Sequence, residues 1–263
     1  MPAVRAKSYP SAVAVERAVE LLYLLGERGE AALPVLARDI GSSRSAVRRI
    51  LTALRRKGLV EIDPVTDHYS LSWLVLSLAR SRQDRVGLRE VALLPMTELR
   101  DLTKETVTLN VKSGFQRVCI EQLEGLEEVR WQGEIGRIDI LYAGAGGKSL
   151  LAYFPPAELD AYLEQVARRP LTPHTVVDRE ALERELAQIR QRGYATGGQD
   201  RQLGVTGVSA PIFNDAGAAF ASITVAAPAV RGTPEQLDLW APAVIRAAAR
   251  ISDTLGHWPD EAG

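Results

Sequence analysis

The sequence predicts an α+β chain of two domains: a small helical domain, then a larger one with helices over an antiparallel sheet. The length of 263 residues exceeds one ordinary domain. With 46% hydrophobic and 25% charged residues, the composition is typical of a globular protein and excludes collagen-like or disordered chains. The charged residues are also unevenly distributed between the two parts of the chain. Residues 1–75 carry 11 Lys+Arg against 8 Asp+Glu, and the remainder carries 21 against 25. Such asymmetry hints at a nucleic-acid-binding part.

The first helix is predicted over residues 12–26, where apolar residues recur with helical spacing. This face comprises Val15, Ala18, Val19, Leu22 and Leu25. Gly26 and Gly29 interrupt the pattern and are expected to end the helix.

Two further helices joined by a tight turn predict a helix-turn-helix. Pro34 suits the first turn of a short helix, Pro34–Ile40, and Gly41 is placed to end it. Ser42 and Ser43 are candidate N-caps for the third helix. That helix is expected to bury Val47, Ile50, Leu51 and Leu54 and to stop at Gly58.

The third helix carries charge of one sign. From Arg44 to Lys57 there are six cations and no carboxylate, whereas a solvated helix face usually mixes both signs. We expect a polyanionic partner, double-stranded DNA. Ser43, Arg44, Ser45 and Arg48 would read base edges, and Arg49, Arg55, Arg56 and Lys57 would contact phosphates. The alternative is a three-helix bundle with an accidentally basic helix.

A β-hairpin should follow the third helix. Residues 59–62 and 68–71 are short alternating runs around a turn that contains Asp63, Pro64 and Asp67. The first domain is therefore predicted to be a winged helix-turn-helix.

The second domain opens with two predicted helical stretches within residues 73–102, a linker helix and a first domain helix, with Pro95 a kink or restart. Thr106–Lys112 and Phe115–Leu123 alternate around Ser113-Gly114 and predict a hairpin. Later elements are the helices Ala157–Gln165 and Asp178–Arg192, the strands Val205–Phe213 and Ala218–Ala227, and a final helix capped by Thr233.

A glycine-rich turn lies at Ala143–Ser149. Its Gly-Lys-Ser resembles a phosphate-binding loop, but Tyr142 stands where that motif requires glycine. We expect a turn entering a helix Gly147–Phe154, with the N–H groups of Ala145, Gly146 and Gly147 forming a small anion site suited to a carboxylate. The alternative is that the small residues only permit close packing.

Residues 12–71 resemble the DNA-binding domain of IclR-family bacterial transcriptional regulators. The resemblance rests on an ordered set of short runs and extends to about residue 256. Its carrying segments are Val15–Leu22, Leu36–Gly41, Arg44–Leu51, Lys57–Val60, Tyr69–Leu71, Gly144–Ala152, Arg192–Ala195, Gly204–Phe213 and Thr233–Glu235. It implies a winged helix-turn-helix, a linker helix and a GAF-like α/β effector-binding domain. It further implies a homodimer or dimer of dimers that binds pseudo-palindromic operators.

The resemblance also locates an effector pocket, where this chain departs from many relatives. Gly207 stands where many relatives have Cys, and Thr224 and Ala226 stand where many have two Ser. Tyr142 stands where His is common, and Asp139 lies near a usually apolar position. With Trp131 close by, we expect an aromatic or hydroxylated effector rather than glyoxylate or pyruvate. The alternative for Asp139 is a solvent-facing carboxylate.

We expect no enzyme, cofactor or metal site. The lone Cys119 predicts a core thiol and a reducing cytoplasm, and His68, His174 and His257 are too scattered to bind metal. The longest uncharged run, residues 216–230, is too short to span a membrane.

We expect the DNA-binding domain at 1–73, the linker at 74–90 and the effector domain at 91–263. The predicted function is an effector-responsive transcription factor. The rivals are an enzyme or small-molecule carrier with an incidental winged helix, and a winged helix used for protein interaction.

Overall fold

The computed structural model describes residues 10–76, 78 and 87–256, which divide into two compact units between residues 85 and 86. Residues 77 and 79–86 of the predicted linker lie outside the described residues, as does His257. The bounds proposed for the linker therefore stay a prediction.

Within residues 10–71, the first unit contains three helices and a small antiparallel sheet, and residues 74–76 are again helical. Its elements in chain order are α1 (Pro10–Arg28), β1 (Glu30–Ala32), α2 (Leu33–Asp39), α3 (Arg44–Arg56), β2 (Val60–Ile62) and β3 (His68–Leu71). The sheet order is β1-β3-β2. The helix-turn-helix and the hairpin are confirmed. Strand β1 was not predicted, because three residues are too few to show an alternation of apolar and polar side chains.

Helix α1 differs from its prediction. It continues through Gly26 to Arg28, and its buried face centres on Leu21 and Leu25, which are fully buried. Val15 and Val19 are exposed, against the prediction. Leu21 and Leu25 are four residues apart, so they lie on one face of the helix, and this is the buried face. The predicted apolar face is rotated around the helix axis relative to it.

The turn between α2 and α3 has the predicted chemistry. Gly41 adopts a positive φ of 61°, a conformation that favours glycine. The Oγ of Ser43 caps α3 by accepting the Ala46 N–H at 3.3 Å. Asp39, at the end of α2, accepts a hydrogen bond of 2.6 Å from Arg28, which ties α1 to this pair.

The second unit is built on one antiparallel sheet. Its elements in chain order are α4 (Leu88–Thr103), β4 (Thr106–Ser113), β5 (Gln116–Leu123), β6 (Ile138–Asp139), α5 (Ala145–Leu151), α6 (Pro156–Gln165), α7 (Arg179–Arg192), β7 (Ala195–Gly198), β8 (Val205–Phe213), β9 (Ala219–Pro228) and α8 (Pro234–Thr254). The strand order is β6-β5-β4-β9-β8-β7. No helix in the described parts of the chain combines the length and apolarity that crossing a bilayer requires.

Two helix predictions need correction. Helix α4 runs through Pro95 without restarting, because Ala92, Met96 and Leu99 on either side are buried in one core and hold the helix together. Helix α5 begins at Ala145 and ends at Leu151, whereas the prediction placed it at 147–154. The short strands β6 and β7 were not predicted.

The two faces of the sheet differ in chemistry. Alternate residues of β4, β8 and β9 pack against α4 and α8 in an apolar core; they are Val107, Leu109, Val208, Ala210, Ile212, Ala221, Ile223 and Val225. The intervening residues face the other way. Thr108, Asn110, Ser209, Ser222 and Thr224 are polar and equally buried. A second apolar core, formed by α5, α6 and α7 with Leu141–Ala143, completes the unit.

Replacing Leu186 with alanine should lower the free energy of unfolding by ~2–5 kcal/mol, because its side chain in α7 is fully buried in the second core. Leu239→Ala is the matched control. Leu239 is 72% exposed, so we expect a change within about 0.5 kcal/mol. Urea unfolding of both variants measures the difference, and equal effects would contradict this assignment of the core.

Candidate nucleic-acid interface and ligand cavity

Helix α3 presents a basic outer face. All eight side chains predicted to contact DNA are exposed: Ser43, Arg44, Ser45, Arg48, Arg49, Arg55, Arg56 and Lys57. The opposite face buries Val47, Leu51 and Leu54. Part of the outer face forms a shallow concave patch lined by Arg44, Ser45, Arg48, Arg49 and Thr52. The N-terminal half of α3 thus offers a concentrated set of hydrogen-bond donors.

The cations of this face have no acidic partners within the described residues. None of the six forms an ion pair there, whereas Arg28 and Arg38 on neighbouring elements both pair with Asp39. Unpaired like charges on one helix repel each other, and a polyanion would relieve that repulsion.

Sequence reasoning missed Thr52, although it lies one helical turn after Arg48. Its Oγ1 donates to the Arg48 carbonyl at 2.7 Å, so the hydroxyl is partly committed to the helix. The Oγ of Ser43 accepts the Ala46 N–H, and it also lies within hydrogen-bond distance of Ser45 Oγ, at 3.1 Å. The arginines of the patch therefore offer the freest donors.

The second unit contains a cavity on the polar face of the sheet. Of the nine residues predicted to bind an effector, Trp131, Asp139, Ala145, Gly146, Gly207, Thr224 and Ala226 line it. Tyr142 and Gly147 do not, against the prediction. The hydroxyl of Tyr142 bonds to the backbone of Arg169, and Gly147 packs against the carbonyls of Ile140 and Leu141. Gly147 is therefore closely packed, and the predicted role of the turn's N–H groups as an anion site stays a prediction.

The glycine turn leaves no room for a side chain at Gly146. A Cβ on Gly146 would lie 2.8 Å from both Arg117 Nη1 and Thr224 Oγ1. Gly144 has a positive φ of 77°, and its N–H donates to Asp200 Oδ2 at 3.0 Å. Only a small-residue turn lets the backbone approach the cavity so closely.

Three arginines that sequence reasoning missed line this cavity, Arg117, Arg137 and Arg201, and two of them pair with Asp139. Arg117 Nη2 lies 3.0 Å from Asp139 Oδ2, and Arg201 Nε lies 2.8 Å from Asp139 Oδ1. The Asp139 side chain is only 11% exposed, so the solvent-facing alternative is wrong. Arg117 also donates to Asn110 Oδ1 at 2.9 Å. The sequence did contain a signal for Arg117. Side chains alternate between the two faces of a strand, so the predicted strand places Arg117 on the same face as Cys119.

The cost of burying the Arg117 guanidinium is only partly offset by its neighbours. Burial lowers the pKa of its guanidinium, and the charge of Asp139 opposes that shift. Its Nε is buried without a hydrogen-bond partner in the described structure. The group nevertheless remains a cation, because arginine starts from so high a pKa.

A second buried charge cluster supports the glycine turn. Lys148 Nζ lies 2.6 Å from Glu185 Oε1 and 2.8 Å from Asp200 Oδ2, and its side chain is 4% exposed. This cluster joins α5, α7 and the loop after β7. The lysine of the Gly-Lys-Ser sequence is therefore held by two carboxylates of the fold.

Cys119 lies in β5 as predicted and lines the cavity. Burial raises the pKa of its thiol, which disfavours a reactive thiolate. Within residues 10–76, 78 and 87–256, no three His, Cys, Asp or Glu side chains are grouped to hold a metal ion.

Comparisons with known proteins agree with this architecture. Residues 81–253 match the family model described as "Bacterial transcriptional regulator IclR C-terminal", and residues 14–64 match "IclR helix-turn-helix domain". The chain is 30% identical over 251 residues to the HTH-type transcriptional regulator KdgR of Escherichia coli, covering 95% of each chain.

Two solved structures share the fold. A crystal structure of an IclR transcriptional regulator from a Silicibacter species matches with a TM-score of 0.80 and 28% identity, covering 93% of this chain and 97% of that one. An IclR homologue from Microbacterium hydrocarbonoxydans, complexed with 4-hydroxybenzoate, matches with a TM-score of 0.78 and 22% identity, covering 92% and 98%.

Replacing Lys148 with methionine should destabilise the second unit by ~3–5 kcal/mol, because Asp200 and Glu185 would lose their buried cation. Arg250→Met is the control. Arg250 pairs with Glu98 on the surface, with both side chains more than half exposed, so we expect a loss of at most ~1 kcal/mol. Thermal unfolding separates the two cases, and a stable Lys148→Met protein would refute the structural role of this cluster.

Proposed function

Because the chain belongs to the IclR family of bacterial transcriptional regulators, we propose that its α3 reads an operator and that its polar cavity binds the effector controlling that binding. The observation that carries the proposal is the basic face of α3, whose cations form no ion pair among the described residues, in a domain matched to the family's helix-turn-helix.

The two ends of α3 would have different tasks. Arg44, Ser45 and Arg48, with Ser43 at the cap, would meet base edges in the major groove, where arginine recognises guanine with two hydrogen bonds. Arg49, Arg55, Arg56 and Lys57 would contact phosphates, which supply affinity without sequence preference. Thr52 extends the concave patch and would assist Arg48.

The effector would be a small aromatic or hydroxylated organic acid. The lining supports this class because the Trp131 ring offers an apolar surface while threonines, an asparagine and arginines offer polar contacts. The 4-hydroxybenzoate held by the Microbacterium homologue is such a compound. Of the predicted set, Asp139 would position Arg117 and Arg201 instead of contacting the effector itself.

We propose binding without turnover. An enzyme would need an activated nucleophile or base in the cavity, and the raised pKa of the Cys119 thiol disfavours that role. The effector would instead favour one arrangement of the DNA-binding domains over another. A differential affinity of a few kcal/mol is enough to switch operator occupancy.

The active form would be a homodimer or a dimer of dimers. Two-fold symmetry then calls for a pseudo-palindromic operator, with half-sites ~10 bp apart or a multiple of that spacing.

Fluorescence anisotropy tests the proposal. The purified protein is titrated into the intergenic DNA beside its own gene and into a scrambled fragment, at two salt concentrations. Tight binding to the native fragment alone supports a specific regulator, whereas equal binding to both fragments contradicts it.

Arg48→Ala should weaken operator binding by ~1–3 kcal/mol and relax the preference at one base position, because a base-edge contact is lost. Arg184→Ala, on an exposed surface of the second unit, should leave binding unchanged. Anisotropy with the operator and with random DNA measures both. An equal loss of affinity for the two DNAs would mean that Arg48 contacts a phosphate and reads no base.

Arg56→Ala should weaken binding to operator and random DNA alike, because a phosphate contact carries no sequence information. The slope of log affinity against log salt should fall by about one per bound subunit. An unchanged slope would place Arg56 away from the phosphates.

A further inference from the structure

The hairpin that follows α3 carries charge of the opposite sign. Residues 58–73 contain no lysine or arginine and three carboxylates, which are Glu61, Asp63 and Asp67. All three are exposed, and none forms an ion pair with any residue that the structure describes. The histidine of this segment, His68, has its Nδ1 3.2 Å from Glu30 Oε1 on β1. The first unit thus carries cations on α3 and carboxylates on the hairpin.

The hairpin is fixed to the C-terminal end of α3. The Leu59 N–H donates to the Leu54 carbonyl of α3 at 3.0 Å, and the Ser72 N–H donates to the Leu59 carbonyl at 3.0 Å. Val60 in β2 is buried in the same apolar core as Leu51 and Leu54. Because both ends of the hairpin are held in this way, its carboxylates have a fixed place relative to the cations of α3.

The hairpin tip, from Asp63 to Asp67, uses its backbone N–H groups internally. Asp63 Oδ1 accepts the N–H groups of Val65 at 2.7 Å and Thr66 at 3.0 Å. The Asp63 carbonyl accepts the Asp67 N–H at 2.9 Å, and Pro64 has no N–H. The bonds from Thr66 and Val65 lower the pKa of Asp63, so this carboxylate stays charged. Phosphates are bound by cations, hydroxyls and backbone N–H groups, and of these the tip retains only the Thr66 hydroxyl.

Resting on the proposed DNA contact of α3, we propose that the hairpin reaches the DNA backbone and repels it, so that Glu61, Asp63 and Asp67 weaken binding to DNA of any sequence. Repulsion between exposed charges acts over about 10 Å at 0.1 M salt. Attraction to phosphates supplies essentially all of nonspecific binding but only a share of operator binding. The repulsion therefore removes the larger fraction of the nonspecific binding free energy and makes stable binding depend on the base contacts of α3.

Neutralising two of the carboxylates tests the repulsion. Glu61→Gln and Asp67→Asn are combined in the full chain, because neither side chain bonds to a described residue and asparagine tolerates the positive φ of 55° at position 67. Asp63 is kept because it closes the tip. Affinity for the scrambled fragment should rise roughly 3- to 10-fold at about 50 mM salt, and the gain should shrink at about 300 mM because salt screens the repulsion. Fluorescence anisotropy measures both values.

Glu164→Gln combined with Asp253→Asn is the matched control. Both residues are exposed in the second unit, so this pair changes the net charge equally and leaves the hairpin intact. The control should bind the scrambled fragment as the parent protein does. Unchanged or reduced affinity in the hairpin variant would overturn the proposal. An equal gain in the control would also overturn it, since only the net charge would then matter.

A cation at the tip tests whether the hairpin reaches the phosphates. Val65 is 91% exposed, and its backbone bond to Asp63 is retained when lysine replaces it. Val65→Lys should raise affinity for the scrambled fragment and steepen the slope of log affinity against log salt by about one per bound subunit. Leu239→Lys, at an exposed position of α8, should leave the slope unchanged. An unchanged slope in Val65→Lys would place the hairpin beyond the reach of DNA and overturn the proposal.

The Arg56→Ala measurement keeps this inference separate from the proposed function. If that change weakens DNA binding while the hairpin variants bind as the parent does, the proposed function stands and the hairpin inference fails. If the parent protein binds neither DNA fragment at low salt, the proposed function fails and the hairpin inference fails with it.

Discussion

The second unit depends on one constraint: its sheet buries polar side chains on one face, and each of them needs a hydrogen-bond partner. Thr224 donates to Ser209 at 2.9 Å, and Ser209 lies 3.0 Å from Ser149. Ser149 and Ser222 both donate to the Gly146 carbonyl. This chain of bonds fixes the glycine turn over the strands. The cavity is therefore preorganised by the same bonds that make the polar face tolerable.

Charges extend this arrangement to the loop after β7. Asp200 accepts hydrogen bonds from the Gly144 N–H and from Lys148, while the adjacent Arg201 reaches Asp139 in β6. One loop thus links the glycine turn to the far edge of the sheet.

The first unit solves a simpler problem. Helix α3 buries Val47, Leu51 and Leu54, and the cations of its outer face form no ion pair with any residue that the structure describes. Packing of the inner face stabilises the helix despite repulsion on the outer one. The unit thereby keeps a positive surface that mixed charges would have neutralised, and that surface is what a polyanion recognises.

The sequence by itself determined the elements that local chemistry dictates. Periodicity predicted α3 and the strands β8 and β9, and capping chemistry predicted the starts at Ser43 and Thr233. Charge of one sign predicted the DNA-binding face, whose residues stay a proposal. The alternation of a strand indicates only which side chains share a face of the sheet. It could not predict that the face of Arg117 lines a polar cavity. The partnership of Arg117, Asp139 and Arg201 joins β5, β6 and a loop 62 residues further on. Only the tertiary structure decided it, because strand pairing brings these charges together.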